Sequence, residues 1–246
     1  GALHALPWAA LRLDDAWLVE QAVIELLPSL AALRPAAPLV PEAAPALLVG
    51  CSEFGGRAPP LPRALETLDL VAAGWPGPPT RLTGTAVTRQ AILELAAAGE
   101  LRPYRLLHFA THAHLGGRGL LGHIKLTDND LLVDEVLRLG LGDSIVILAA
   151  CSGAASEVLP GDEVLSLSRA LLAAGATSVV AGLWELYDNA APPLFAHFYA
   201  SLAAHTDPAL ALAHAQRAML RAESDDEQLT AILRLPLVWA SLCVQS

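Results

Sequence analysis

Short runs of β-branched and other apolar residues alternate along this chain with longer segments whose apolar positions recur at helical spacing. That alternation predicts a mainly parallel sheet with helices on both faces, an α/β fold in three αβα layers. Four strands are expected: Ala46–Gly50, Tyr104–Phe109, Ser144–Ala149 and Thr177–Leu183. The last two lack period-two alternation, as strands buried on both faces do. Three helices carry start signals, with Thr88 before Arg89–Ala98, Asp130 before Leu131–Leu139 and Asp162 before Glu163–Ala174. Each offers a side-chain oxygen to orphan backbone N–H groups. Gly175 follows the third, where a left-handed residue is wanted. Asp188–Ala204 and Asp207–Ala222 predict two more helices, the second with Pro208 in its first turn. Arg34–Pro45 and Gly74–Pro79 read as connections, because apolar patterning resumes after each. Glu223–Glu227 reads as a solvated turn.

Composition narrows the class. Of 246 residues, 54% are apolar and only 16% charged, and mean hydropathy is +0.47. Disorder would need the opposite balance. A chain of this length buries roughly 70–75% of its unfolded surface, enough for a large core. Lys and Arg total 15 against 25 Asp and Glu, a net charge of −10, which argues against a nucleic-acid-binding face. A basic substrate stays open. Ser144–Cys151 and Ala170–Trp184 are the longest apolar stretches, and both fall short of the ~18–20 residues a spanning helix needs. The chain opens without a charged segment leading into an apolar one, so no signal peptide is expected. Three widely spaced cysteines, Cys51, Cys151 and Cys243, suit a reducing compartment. A soluble, cytoplasmic, single-domain protein is expected, with no membrane partner. Gly1–Ala5 enters without a preceding strand, which predicts a fragment of a longer chain.

Two strand ends concentrate the chemistry: Leu106–His114 (LLHFATHAH) and Val146–Gly153 (VILAACSG). Ligands of open parallel sheets bind outside the carboxyl ends of the strands. A His and a Cys there share one crevice, where an imidazole can activate a thiolate nucleophile. The competing reading of Cys151 is an inert packing thiol. A zinc site from His108, His112, His114 and Cys151 is not expected. Phe109 stands where the His-Glu-x-x-His helix motif needs Glu, and the segment reads as strand. A Ser152 nucleophile is set aside because Ala150–Ala154 lacks the first Gly of the Gly-x-Ser-x-Gly turn. His108 is expected inside the core, bonded to backbone, and His114 on the loop surface. Cys51 and Cys243 read as packing thiols, and Phe195, Phe198 and Tyr199 as core.

An ordered set of motifs adds to this. HFATHA (His108–Ala113), VILAACSG and GDEVLSLSRALLAAGATSVVAGLW (Gly161–Trp184) stand in sequence. Asp188, Phe198-Tyr199, ALALAHAQRAM (Ala209–Met219) and the closing LPLVWASLCV (Leu235–Val244) follow. Together with Leu3–Trp8 and Leu27–Leu30 near the start, they resemble the CHAT family of caspase-like cysteine peptidases over nearly the whole chain. The resemblance implies a caspase-like sandwich with His112 as general base, Cys151 as nucleophile and no cofactor. It implies an oxyanion hole from the backbone N–H groups of Ala113 and Cys151. Relatives commonly have Gly after the His, so a positive φ at Ala113 would be strained. The P1 pocket is implied in the loop Trp184–Asp188, with Glu185, Asp188 and Trp184 as lining residues and Asp162 beside them. That loop carries carboxylates and no Arg or Lys, which favours a basic P1 side chain. Asp188 reads equally well as an N-cap, and Asp162 shares that ambiguity. The family also has one more strand before the HALPWAAL segment, and its domains typically follow repeats such as TPRs. Limited cleavage of a protein substrate is implied, and some relatives act in bacterial defence on gasdermin-like targets. The alternative from another class is a non-catalytic interaction module of the same fold.

Overall fold

The computed structural model describes residues 6–27, 44–114, 122–151, 167–205 and 207–246, with residues 150 and 151 given by backbone alone. Near the start, β1 (Arg12–Leu13) and β2 (Ala16–Trp17) pair antiparallel before a single turn, α1 (Leu18–Gln21). The main sheet begins with β3 (Ala46–Gly50), whose five residues are all buried and match the predicted strand. Then come α2 (Ala64–Gly74), β4 (Pro79–Thr83), α3 (Arg89–Ala97) and β5 (Leu106–His114). A hairpin, β6 (His123–Lys125) and β7 (Asp130–Leu132), leads into the single turn α4 (Val133–Val136) and β8 (Ser144–Cys151). The remaining elements are α5 (Leu167–Ala173), β9 (Ala176–Gly182), α6 (Ala191–His205), α7 (Pro208–Leu220), α8 (Glu227–Leu233), α9 (Pro236–Trp239) and β10 (Leu242–Gln245).

The strand order is β10-β9-β8-β5-β3-β4, with the β6–β7 hairpin extending β5. The inner pairs are parallel and β10 closes one edge antiparallel. Right-handed crossovers then assign the layers. The β3-to-β4 step runs toward one edge, and the β4-to-β5, β5-to-β8 and β8-to-β9 steps run back toward the other. This sets α2 on one face and α3, α4 and α5 on the opposite one. Helix α6 packs on α2 and α7 packs on α6, completing the αβα sandwich. Phe195, Phe198 and Tyr199 are buried in that layer, as their spacing predicted. Each such side chain contributes roughly 1.5–3 kcal/mol by leaving water.

Local rules account for most boundaries. Thr88 Oγ1 accepts from the Ala91 amide at 3.1 Å and caps as expected, and Asp207, at the expected start of α7, caps it by accepting from Ala209 and Leu210. Gly175 has φ +114°, and a Cβ there would sit 2.2 Å from the Leu141 carbonyl oxygen. The α5–β9 turn therefore admits only glycine. The expected helix start at Asp162 lies outside the described residues, and Arg34–Leu39 and neighbours to residue 43 do too.

Asp130 is a correction. It does not cap a helix over Leu131–Leu139; it begins β7, pairs with Lys125 across the hairpin, and the only helical turn nearby is Val133–Val136. Ladder bonds to β6 outweigh the capping preference, a case of tertiary pairing overriding local propensity. Asp188 likewise does not cap its own helix: α6 is entered through a 3₁₀ turn, Asp188–Ala190, with no side-chain cap. Among the described residues, no helix is long and apolar enough to cross a membrane.

Candidate active site

The parallel strands all end on one edge of the sheet, at Gly50, Thr83, His114, Cys151 and Gly182. β5 and β8 are neighbours in that edge. Their register runs from Leu106↔Ile145 to Phe109↔Leu148, then shifts to His112↔Ala150 and Ala113↔Cys151. Two residues of β5, Ala110 and Thr111, therefore oppose one of β8, Ala149, which makes a bulge. Without it His112 would stand directly opposite Cys151; with it His112 stands one residue earlier. Strand spacing and rise then separate the two backbones by about 6 Å. Bulges beside active sites re-aim side chains in this way. Ala113 is extended and is not among the positive-φ residues, so the strain expected at that position does not arise.

The imidazole of His112 is almost fully enclosed. Its Nε2 lies 2.8 Å from the carbonyl oxygen of Pro59. A carbonyl oxygen only accepts, so Nε2 carries the proton and Nδ1 keeps a basic lone pair. The buried ring of Phe54 packs on the imidazole, centroids 4.9 Å apart and tilted by 51°. Both partners come from the connection after β3. Cys51 N–H donates to Ala110 O at 3.1 Å, and Leu61 N–H donates back to Ser52 O at 3.0 Å, closing the loop. A turn at Phe54–Arg57 (3.0 Å) uses Gly55 and Gly56 at φ +60° and +79°. Arg57 then reaches Leu126 O (3.2 Å), Thr127 O (3.3 Å) and Asp130 Oδ1 (2.5 Å) on the hairpin.

The second wall of the crevice joins the start of α2 to the turn before α6. Asp188 Oδ2 accepts from the Arg63 amide at 3.1 Å, and Arg63 Nε donates to Asn189 Oδ1 at 3.4 Å. Burial pushes the Asp188 carboxyl up from the usual range. The Arg63 N–H, the Arg63 charge and the nearby His112 offset that rise, and Glu66 adds to it. Asp188 thus sits within electrostatic reach of His112. Arg63 is a cation at this wall that the loop Trp184–Asp188 itself lacks, and its guanidinium is held by Glu66 at 2.5 Å. Glu185 is exposed. Trp184 is half-buried against the core and donates through Nε1 to Leu237 O at 2.6 Å. Asp162 lies outside the described residues.

The other candidates separate cleanly. His108 is fully buried, with Nδ1 2.8 Å from the Tyr199 hydroxyl rather than bonded to backbone, and burial lowers its pKa to about 3. It is a neutral core residue. His114 is the half-buried last residue of β5, not a surface loop, and its ring is 5.5 Å from that of His123. Among the described residues no three His, Cys, Asp or Glu side chains gather closely enough to hold a metal ion. Cys51 is buried, its Sγ 2.9 Å from Glu53 O, and burial raises its pKa. Cys243 is half-buried as a residue, yet burial of its thiol raises the pKa to about 11. Sequence reasoning missed Pro59, Phe54 and Arg57. The Gly-Gly and Pro-Pro pairs mark a loop there, but a backbone carbonyl has no residue signature.

A family model described as CHAT domain matches residues 1–245. Two solved structures resemble the fold at 13% identity. One is the Arg specific cysteine proteinase gingipain R, at a TM-score of 0.52, covering 83% of this chain and 46% of that one. The other is the complex of Porphyromonas gingivalis RgpB pro- and mature domains, at 0.53, covering 83% and 47%. The chain spans about half the length of these structures, and the likeness is one of fold, caspase-like. No curated protein matches the chain.

Proposed function

The chain belongs to the CHAT family, and we propose that it is a cysteine endopeptidase with Cys151 as nucleophile and His112 as general base. One observation supports this most: the imidazole at the end of β5 donates its Nε2–H to the Pro59 carbonyl, beside the strand that ends in Cys151. Nδ1 of His112 takes the thiol proton, and the thiolate attacks the scissile carbonyl. The oxyanion is assigned to the backbone N–H groups of Ala113 and Cys151, opposite one another in the register. The imidazolium then protonates the leaving amine, and water hydrolyses the thioester. Such acid–base work supplies about 10²–10⁴-fold in rate.

The substrate in this reading is a protein cut at few sites after a basic residue. Asp188, held by Arg63, and the exposed Glu185 supply the anionic side of the P1 pocket, with Trp184 as its wall and Asp162 as a further contributor. An Arg guanidinium would pair with such carboxylates in two parallel bonds. Cytoplasmic action on a gasdermin-like target in bacterial defence, in a protein that also carries N-terminal TPR-type repeats, completes the proposal.

Thiol reactivity tests the dyad without knowledge of the substrate. Iodoacetamide near neutral pH, read by peptide mass mapping, should label Cys151 well before Cys51 and Cys243, whose thiols burial makes harder to ionise. His112→Ala should slow Cys151 labelling by roughly tenfold or more. Equal labelling rates in the two proteins would refute the dyad.

A further inference from the structure

We propose that Arg57 is a positioning residue, which clamps the loop carrying Pro59 and so fixes the tautomer and aim of the His112 imidazole. This inference rests on His112 being the general base. Residues 51–61 contain no helix or strand, so the direction of the Pro59 carbonyl depends on what holds the loop. Its base is tied by the Leu61-to-Ser52 bond and its middle by the buried Phe54. Arg57, at the far end of the Gly-Gly turn, reaches across to another element with several bonds. Its guanidinium takes two carbonyls and a carboxylate, all between Leu126 and Asp130.

The receiving carboxylate is built for that role. Asp130 also meets Lys125 Nζ at 3.2 and 3.3 Å and lies 3.5 Å from His123 Nε2. Three cationic or potentially cationic groups thus converge on one carboxylate, and together they fix the direction of its oxygens. The hairpin bearing Asp130 is in turn laddered onto β5 through Ala113↔Ile124 and His114↔His123. Arg57 therefore closes a ring that runs from β5 through the hairpin and the 51–61 loop back to His112. Both ends of the Nε2–Pro59 hydrogen bond are referenced to the same strand. A planar guanidinium donating to three acceptors holds one orientation, whereas a lysine ammonium acts as a point charge.

The test compares wild type with Arg57→Ala, Arg57→Lys and Asp130→Asn in the whole chain. Long-range ¹H–¹⁵N spectra of the imidazoles, above their ordinary titration range, report the His112 tautomer whether or not a substrate is known. Wild type should show the single Nε2–H form. Arg57→Ala should show a mixture of tautomers, with kcat down roughly 10–100-fold and KM within about twofold. Arg57→Lys should recover part of both signals, and Asp130→Asn should fall between. If Arg57→Ala does not fold, the Lys and Asn variants carry the comparison. An unchanged His112 spectrum in a folded variant would overturn the clamp. An altered spectrum in a protein with no peptidase activity would uphold the clamp and reject the peptidase.

Discussion

His112 and Pro59 are separated by 53 residues, yet the imidazole Nε2 donates to the proline carbonyl at 2.8 Å. Proline is well suited to the accepting position. Its ring fixes φ, and Pro60 restricts Pro59 to extended ψ values, so the carbonyl direction is set before the imidazole arrives. A histidine held this way presents only Nδ1 for proton transfer.

Loss of either dyad member should abolish turnover while sparing the fold. Cys151→Ala should lower kcat/KM by at least about 10³-fold, and His112→Ala by about 10²–10⁴-fold. Initial rates beside thermal melts check this. A chelator should leave the rate unchanged, since neither step uses a metal.

Phe54 links packing to chemistry. Phe54→Ala should cost about 3–5 kcal/mol of stability and should free the imidazole face. Phe54→Leu keeps most of the volume and should retain stability while lowering kcat. Chemical denaturation and kinetics on the pair separate the two effects.

Asp188 should show a reversed pH signature. Its folded pKa is raised by burial, so its contribution to stability is greatest below the unfolded carboxylate value and is lost as pH rises through the folded one. Asp188→Asn keeps an acceptor for the Arg63 amide. It should therefore melt higher than wild type at neutral pH, with the gap closing in acid. The same variant should lose cleavage after Arg more than after uncharged residues. Melts across pH and a two-substrate comparison test both halves.

Glu135 should behave oppositely. Arg89 donates to both its carboxylate oxygens, one bond at 2.9 Å, and the Leu132 amide donates at 3.0 Å. The Arg89 hydrogen bond leads in holding its pKa below the usual value. That stabilisation is present above the ordinary glutamate range and is lost as pH falls through the lowered folded value. Glu135→Gln should thus lower the melting temperature at pH 7 and converge with wild type in acid.

How much of this was legible from the chain depends on what each element owes to its own residues. Ala46–Gly50 is an unbroken apolar run buried on both faces, and its limits could be read directly. β5 runs five residues past Phe109, because its small and polar end is held by β6 on one side and β8 on the other. β4, with the polar sequence PTRLT, is an exposed edge strand whose apolar pattern is too thin to detect. Cys151 and His112 stand in motifs and were visible. The groups that hold the His112 imidazole, Pro59 O and the Phe54 ring, come from a loop whose contacts only the folded sheet creates. Asp130 shows the same limit: locally it reads as a helix cap, and in the fold it anchors Arg57.

The central claim is peptide-bond cleavage by the Cys151–His112 pair. Incubating the protein, beside Cys151→Ala and His112→Ala, with a peptide library covering every residue type at each position gives the most direct test, read by mass spectrometry. The account predicts a narrow set of cuts, concentrated after Arg, that disappear in both variants. Cuts that persist undiminished in Cys151→Ala, or a library left intact by all three proteins, would contradict it.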